Sequence, residues 1–127
     1  MAKRWIFWGA VCAFLSVAIG AFGAHGLESV LEKNDTRATF ETGVHYHIAH
    51  SLALVLLGLA ADKLGEQRKL LWAGRLMMAG IVLFSGSLYI LGITGIKVLG
   101  AITPLGGVAF LTAWGLLASA AWKSGSR

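Results

Sequence analysis

The sequence is poor in charge. Of its 127 residues, 6 are Asp or Glu and 11 are Lys or Arg, together 13%, where a soluble globular domain carries about a quarter. A soluble protein with a large core is therefore excluded first. The six acids are Glu28, Glu32, Asp35, Glu41, Asp62 and Glu66, and none lies in the middle of an apolar stretch. A proton-driven transporter normally carries an acid in mid-membrane, so its absence counts against that class. The single cysteine, Cys12, excludes an intrachain disulfide. No Gly-rich phosphate loop, cysteine pair, nucleophile elbow or pair of buried carboxylates is present. With no catalytic constellation, no enzymatic activity is expected. Internal repeats and low-complexity tracts are also missing.

What remains is mostly apolar. Hydrophobic residues make up 57% and mean hydropathy is +0.72. Four stretches, approximately residues 5–24, 42–61, 70–93 and 103–122, are each about 20 residues or more, the length that spans a bilayer as helix. They lack strand alternation, so helices are expected rather than a closed barrel. The basic start of the chain, Lys3 and Arg4, resembles a secretory signal, but the apolar run from Trp5 to Ala24 is long for one. It reads as a first membrane helix. The expected architecture is all-α, an integral membrane four-helix bundle forming a single transmembrane domain over residues 1–127.

Orientation follows from the basic residues. Lys3, Arg4, Lys63, Arg68, Lys69, Arg75, Lys123 and Arg127 fall on one side, against Lys33, Arg37 and Lys97 on the other. Basic residues gather on the cytoplasmic side, so both termini are expected there, in a multi-pass protein of the cell (inner) membrane. Trp5, Trp8, Trp72 and Trp122 fall at the predicted cytoplasmic helix ends, where indole rings favour the interface. Arg75 is one turn inside and can snorkel to the same surface. In the first outer connection, Leu27, Val30 and Leu31 recur at i, i+3, i+4, which predicts a short amphipathic helix on the outer surface or capping the bundle. Thr103 and Pro104 supply a cap residue and a first-turn proline for the fourth helix.

Small residues mark the packing faces. Gly9, Ala13, Ser16, Gly20 and Gly23 form one stripe on the first helix, which permits close approach of another helix. Ser85, Gly86 and Ser87 in the third helix, and Gly106, Gly107, Ala109 and Ala113 in the fourth, read the same way. The second stretch, "FETGVHYHIAHSLALVLLGLAA" from Phe40, opens with five titratable groups. At ~100° per residue from Glu41, His45 falls at about 40°, Tyr46 at 140°, His50 at 180° and His47 at 240°. Glu41 and His45 thus pair on one face, at the water interface. Tyr46, His47 and His50 point roughly the other way. One helix cannot converge all these groups on a metal, and no second helix offers a Glu-x-x-His pair. No metal or cofactor is expected. His50 is the deepest of the group, and a neutral imidazole in hydrocarbon still needs hydrogen bonds. It should face the bundle, with Ser85, Ser87, Tyr89 or Thr94 as candidate partners.

Four motifs in order, "GAFGAHGL", "FETGV-Y---H", "LFSGSLY" and "TPLGGVAFLTAW", resemble the YgdD/YwdK-like family of small inner-membrane proteins, a domain of unknown function found in bacteria with relatives in mitochondrion-bearing organisms. The resemblance covers roughly residues 5 to 122. It implies a four-helix membrane protein and no assigned activity. Its motif positions include His25, Glu41, Tyr46, His50, Ser85, Ser87, Tyr89 and Pro104, whereas His45 and His47 fall outside them. Two functions follow as expectations. One is a non-enzymatic accessory or assembly partner of a larger membrane complex. The other is a small-molecule or lipid binder or transporter with an outer-leaflet pocket lined by His25, Tyr46, His50, Ser85, Ser87 and Tyr89. Expected partners are membrane lipid and either further copies of the chain or another membrane protein. Nucleic acid is not expected, since the basic residues report topology.

Overall fold

In lipid every backbone N–H and C=O must find its partner within the segment, so long apolar runs become helices. A computed structural model describes residues 2–65 and 67–125, and only the backbone of Ala24, Ser124 and Gly125. Glu66 and Arg127, both counted above for charge, lie outside the described residues. The helices are α1 (Ala2–His25), α2 (Glu28–Asn34), α3 (Arg37–Leu64), α4 (Arg68–Gly80), α5 (Gly86–Thr94) and α6 (Thr103–Gly125). A π-helical turn, Ile81–Ser85, joins α4 to α5 into one long third helix, and a 3-10 turn, Lys97–Ala101, precedes α6. Four of these helical stretches are long and apolar enough to cross a membrane, and no strand occurs among the described residues. The protein is an all-α integral membrane four-helix bundle.

The bundle is two tight pairs joined across the middle. Helix α1 lies along α3, and α4 lies along α6. The first pairing uses the small stripe of α1. A Cβ on Gly9 would stand 2.8 Å from the Val55 backbone nitrogen, and one on Gly20 would stand 3.2 Å from Val44. Gly23 lies under the Phe40 ring, which occupies the space a side chain would need. The stripe is therefore spent inside the chain, on α3. In the second pairing Gly106 abuts the Phe84 backbone, while Ala109 and Ala113 are buried. Leu54, Leu57, Leu70, Ala73, Met77 and Ala113 seal the core between the pairs.

Two features depart from the sequence reading. Trp5 does not sit at an interface with its exposed neighbours Trp8 and Trp72; it is only 4% exposed. Its indole fills the flat space left by Gly74 on α4, so packing has outcompeted the interface. Trp72 instead receives Arg75, whose guanidinium lies 5.0 Å from the ring centroid, a cation–π contact on the outside of the bundle. The second departure is the π-helical turn. It inserts an extra residue into the third helix and rotates α5 relative to α4.

The short α2 is docked rather than free. Leu31 of the predicted apolar stripe is buried. Just beyond it, Asn34 Nδ2 donates to the carbonyls of Gly92 (3.3 Å) and Ile93 (2.9 Å), and Thr36 Oγ1 donates to Gly92 (2.6 Å). The last carbonyls of any helix lack intrahelical partners. Here the first outer connection supplies them for α5. Asp35, between the two donors, adopts a left-handed conformation (φ 53°) that turns the chain from α2 into α3.

Candidate functional site

The polar residues of α3 point in three directions, as the helical spacing requires. Glu41 and His45 are exposed near its start. His47 is buried and faces α5, where its Nδ1 lies 2.7 Å from the Tyr89 hydroxyl. His47 thus ties α3 to α5. One turn on, the buried Ser51 hydroxyl donates to the His47 carbonyl at 2.7 Å.

His50 faces α6 instead. Its Nδ1 lies 2.8 Å from the carbonyl of Tyr46, and its Nε2 lies 2.9 Å from the indole nitrogen of Trp114. A carbonyl only accepts and an indole N–H only donates. The imidazole must therefore be neutral with its proton on Nδ1, and both nitrogens are used. Rings close the rest of its surface. Phe110 stacks on the imidazole at 3.6 Å between centroids, with planes 12° apart. Tyr46 lies parallel at 6.0 Å and rests on Phe84 at 4.4 Å. The partners expected from the third helix are not those of His50: a carbonyl of its own helix and a tryptophan of the fourth take their place.

The remaining candidates occupy separate places. Ser87 donates to the Phe84 carbonyl (2.9 Å) and meets the Thr103 hydroxyl at 2.6 Å, joining α5 to the start of α6. Tyr89 belongs to His47, with a longer contact to the Gly43 carbonyl at 3.4 Å. Ser85, within the π-helical turn, is fully buried and its hydroxyl has no partner among the described residues. His25 is exposed at the end of α1. Thr94 turns back on the Ile90 carbonyl at 2.6 Å. Tyr46 and His50 are in contact; no described contact gathers all six candidates into one lining. Among the described residues no group of three or more His, Cys, Asp or Glu side chains is placed to hold a metal ion.

The arrangement binds helices to one another. Among the described residues, His50 has both ring nitrogens engaged and His47 has its Nδ1 engaged by Tyr89. Comparison with known proteins agrees on the class of molecule. The DUF423 family, described as a protein of unknown function, matches residues 19–107. The chain belongs to this family. The UPF0382 membrane protein YwdK of Bacillus subtilis is 52% identical over 121 residues, covering 95% of this chain and 98% of that one. UPF0382 membrane proteins of Staphylococcus haemolyticus and Staphylococcus aureus are 43% and 44% identical, each over 95% of this chain and 97% of their own. No solved structure matches it. The protein is a multi-pass membrane protein.

For a DUF423 member, two residues matter that sequence reasoning passed over, Trp114 and Phe110, and a third, His47, that it left outside the candidate lining. His47 is as buried as His50, at 4% and 5% exposure. Its direction, well off the Glu41 face, was visible in the helical angles. Trp114 carried its own signal, since it lies in mid-helix rather than at an interface, and an indole N–H away from water favours an acceptor. Phe110 gave none, because one phenylalanine in an apolar helix is like any other. The family match runs from the end of α1 to the start of α6 and stops short of Trp114.

Proposed function

We propose that this protein is a non-catalytic component of the cell (inner) membrane that serves as an accessory or assembly partner of a larger membrane complex. The observation carrying this reading is that the histidines inside the bundle are spent on holding it together. His50 engages Trp114 of α6 through one nitrogen and the Tyr46 carbonyl through the other, and His47 engages Tyr89 of α5 through Nδ1. With the buried histidines engaged in this way, the reading places function on the outer surface. That surface is strongly apolar on α1 and α6, where Phe7, Phe14, Val17, Leu105, Val108 and Leu111 are exposed. Lipid covers such faces by default, and a partner helix can replace lipid where packing is better.

The alternative, an outer-leaflet pocket around His50, draws less support. The imidazole is flanked by Tyr46, Phe110 and Trp114 and lines none of the three cavities described, of which one reaches Tyr89. The distribution of basic residues supports a cytoplasmic position for both termini. Fusing a reporter active only in the cytoplasm to the C-terminus tests that orientation, and an inactive fusion would reverse it. The functional reading itself is tested by mild solubilisation from native membranes after chemical crosslinking. Co-purification of a second membrane protein is expected. A monodisperse monomer with no crosslinked partner would sink the proposal.

A further inference from the structure

A cavity with a volume of about 160 Å³ lies among α1, α2 and α3. That is well above the ~10–15 Å³ that one water requires. Its wall is a ladder on α3. Arg37, Glu41 and His45 recur at every fourth position, so they share one helical face over about 12 Å. Opposite stand Gly20 and Gly23 of α1, and Leu31 of α2 closes the top. The lining is therefore cation, anion and imidazole on one side and apolar on the other. This mixture sits at the end of a membrane helix.

We propose that this cavity is a headgroup site for a zwitterionic aminophospholipid, a phosphoethanolamine lipid. Charge complementarity selects that occupant. Glu41 is an exposed carboxylate with no ion pair among the described residues, and it stands between two N–H donors. Its oxygens accept from a primary ammonium. Arg37, one helical turn from Glu41, donates to the phosphate, and His45 on the other side of Glu41 adds a further polar group to the wall. The Arg37 guanidinium already approaches Glu32 at 3.3 Å and Glu28 at 3.8 Å, both through Nη2. Those pairs are solvent-exposed and weak, and the guanidinium keeps further N–H donors for phosphate oxygens. Helix α3 begins at Arg37 with no side-chain cap, so its first turn adds positive potential at that end. A glycerol headgroup carries no ammonium for Glu41. A choline headgroup carries an ammonium that has no N–H to donate. The roof is fixed rather than loose, because Asn34 and Thr36 pin the connection between α2 and α3 to the end of α5.

The test is native mass spectrometry of the purified full-length protein, titrated with phosphatidylethanolamine, phosphatidylglycerol or phosphatidylcholine of matched acyl chains. Ethanolamine lipid should bind roughly fivefold or more tightly than either of the others. Glu41→Gln should erase the preference for ethanolamine over glycerol. Arg37→Gln should weaken all three phosphate-bearing lipids by a similar factor. Both side chains face out of the core, and unchanged helical content by circular dichroism confirms folding. Equal binding of the three lipids, or an unaltered preference in Glu41→Gln, overturns the site. Free phosphoethanolamine binding at millimolar concentration, with no retention of the lipid, overturns the lipid assignment.

Discussion

At His50 the place of the proton is fixed by what the ring touches. The Tyr46 carbonyl demands a donor at Nδ1 and the Trp114 indole demands an acceptor at Nε2. Trp114→Phe leaves that acceptor buried and unpaired, which costs about 1 kcal/mol or somewhat more. A double-mutant cycle with His50→Phe should give a coupling of about 0.6 kcal/mol, the usual size for interhelical hydrogen bonds in membranes. Reversible unfolding in bicelles measures it, and strict additivity would show that the contact carries no energy. Tyr89→Phe should cost roughly 0.5–1 kcal/mol through His47, while His45→Ala, on the exposed face, should stay within about 0.5 kcal/mol of the wild type. Part of this was legible beforehand. Helical angles separate Glu41 and His45 from the buried groups without any structure. They cannot say which neighbour each buried group meets, because that depends on how α5 and α6 are rotated about their own axes. Ser85 and Ser87 looked like natural partners for His50 by depth, yet Ser87 serves Thr103 instead.

At the scale of elements, the glycines range from those pressed against a neighbouring helix to those facing open space. Gly9→Ala should push α1 off α3, since the new methyl meets backbone at 2.8 Å; overpacking of this kind costs about 1–3 kcal/mol. Gly86→Ala meets nothing within 4 Å and should be neutral or stabilising by up to about 1 kcal/mol from helix propensity. Thermal denaturation of the two variants should therefore move in opposite directions or differ plainly in size. The stripe on α1 was readable from spacing alone. The π-helical turn at Ile81–Ser85 was not, since its local sequence, Ile-Val-Leu-Phe-Ser, is compatible with an ordinary helix. It accompanies the close approach of Gly106 to the Phe84 backbone, a contact between elements far apart in sequence. The amphipathic pattern of α2 was also visible, but its anchoring by Asn34 and Thr36 was not, because a polar residue in a connection gives no hint of its acceptor. Removing both donors with Asn34→Ala and Thr36→Ala should free the Gly92 and Ile93 carbonyls. Hydrogen exchange at the end of α5 and in α2 should then rise by roughly tenfold, the equivalent of about 1.4 kcal/mol. Unchanged exchange would mean the connection is held by Leu31 packing alone.

For the whole molecule, hydropathy was the strongest signal in the sequence. Low charge and four long apolar runs leave few architectures open, and the bundle follows from satisfying the backbone in lipid. The pairing of α1 with α3 and of α4 with α6 is a property of surfaces, and composition does not encode it directly. Function is harder still, because the interior hydrogen bonds account for the buried histidines without any reaction. What remains unaccounted for within the molecule is its exterior, with Phe14 and Val17 projecting from α1 and Val108 and Leu111 from α6. The most direct measurement places a photo-crosslinking amino acid singly at Phe14, Val17, Val108 and Leu111 and irradiates intact membranes. The account predicts a discrete adduct with another membrane polypeptide from at least one face. Uncrosslinked chain, or adducts with lipid alone, at all four positions would contradict it.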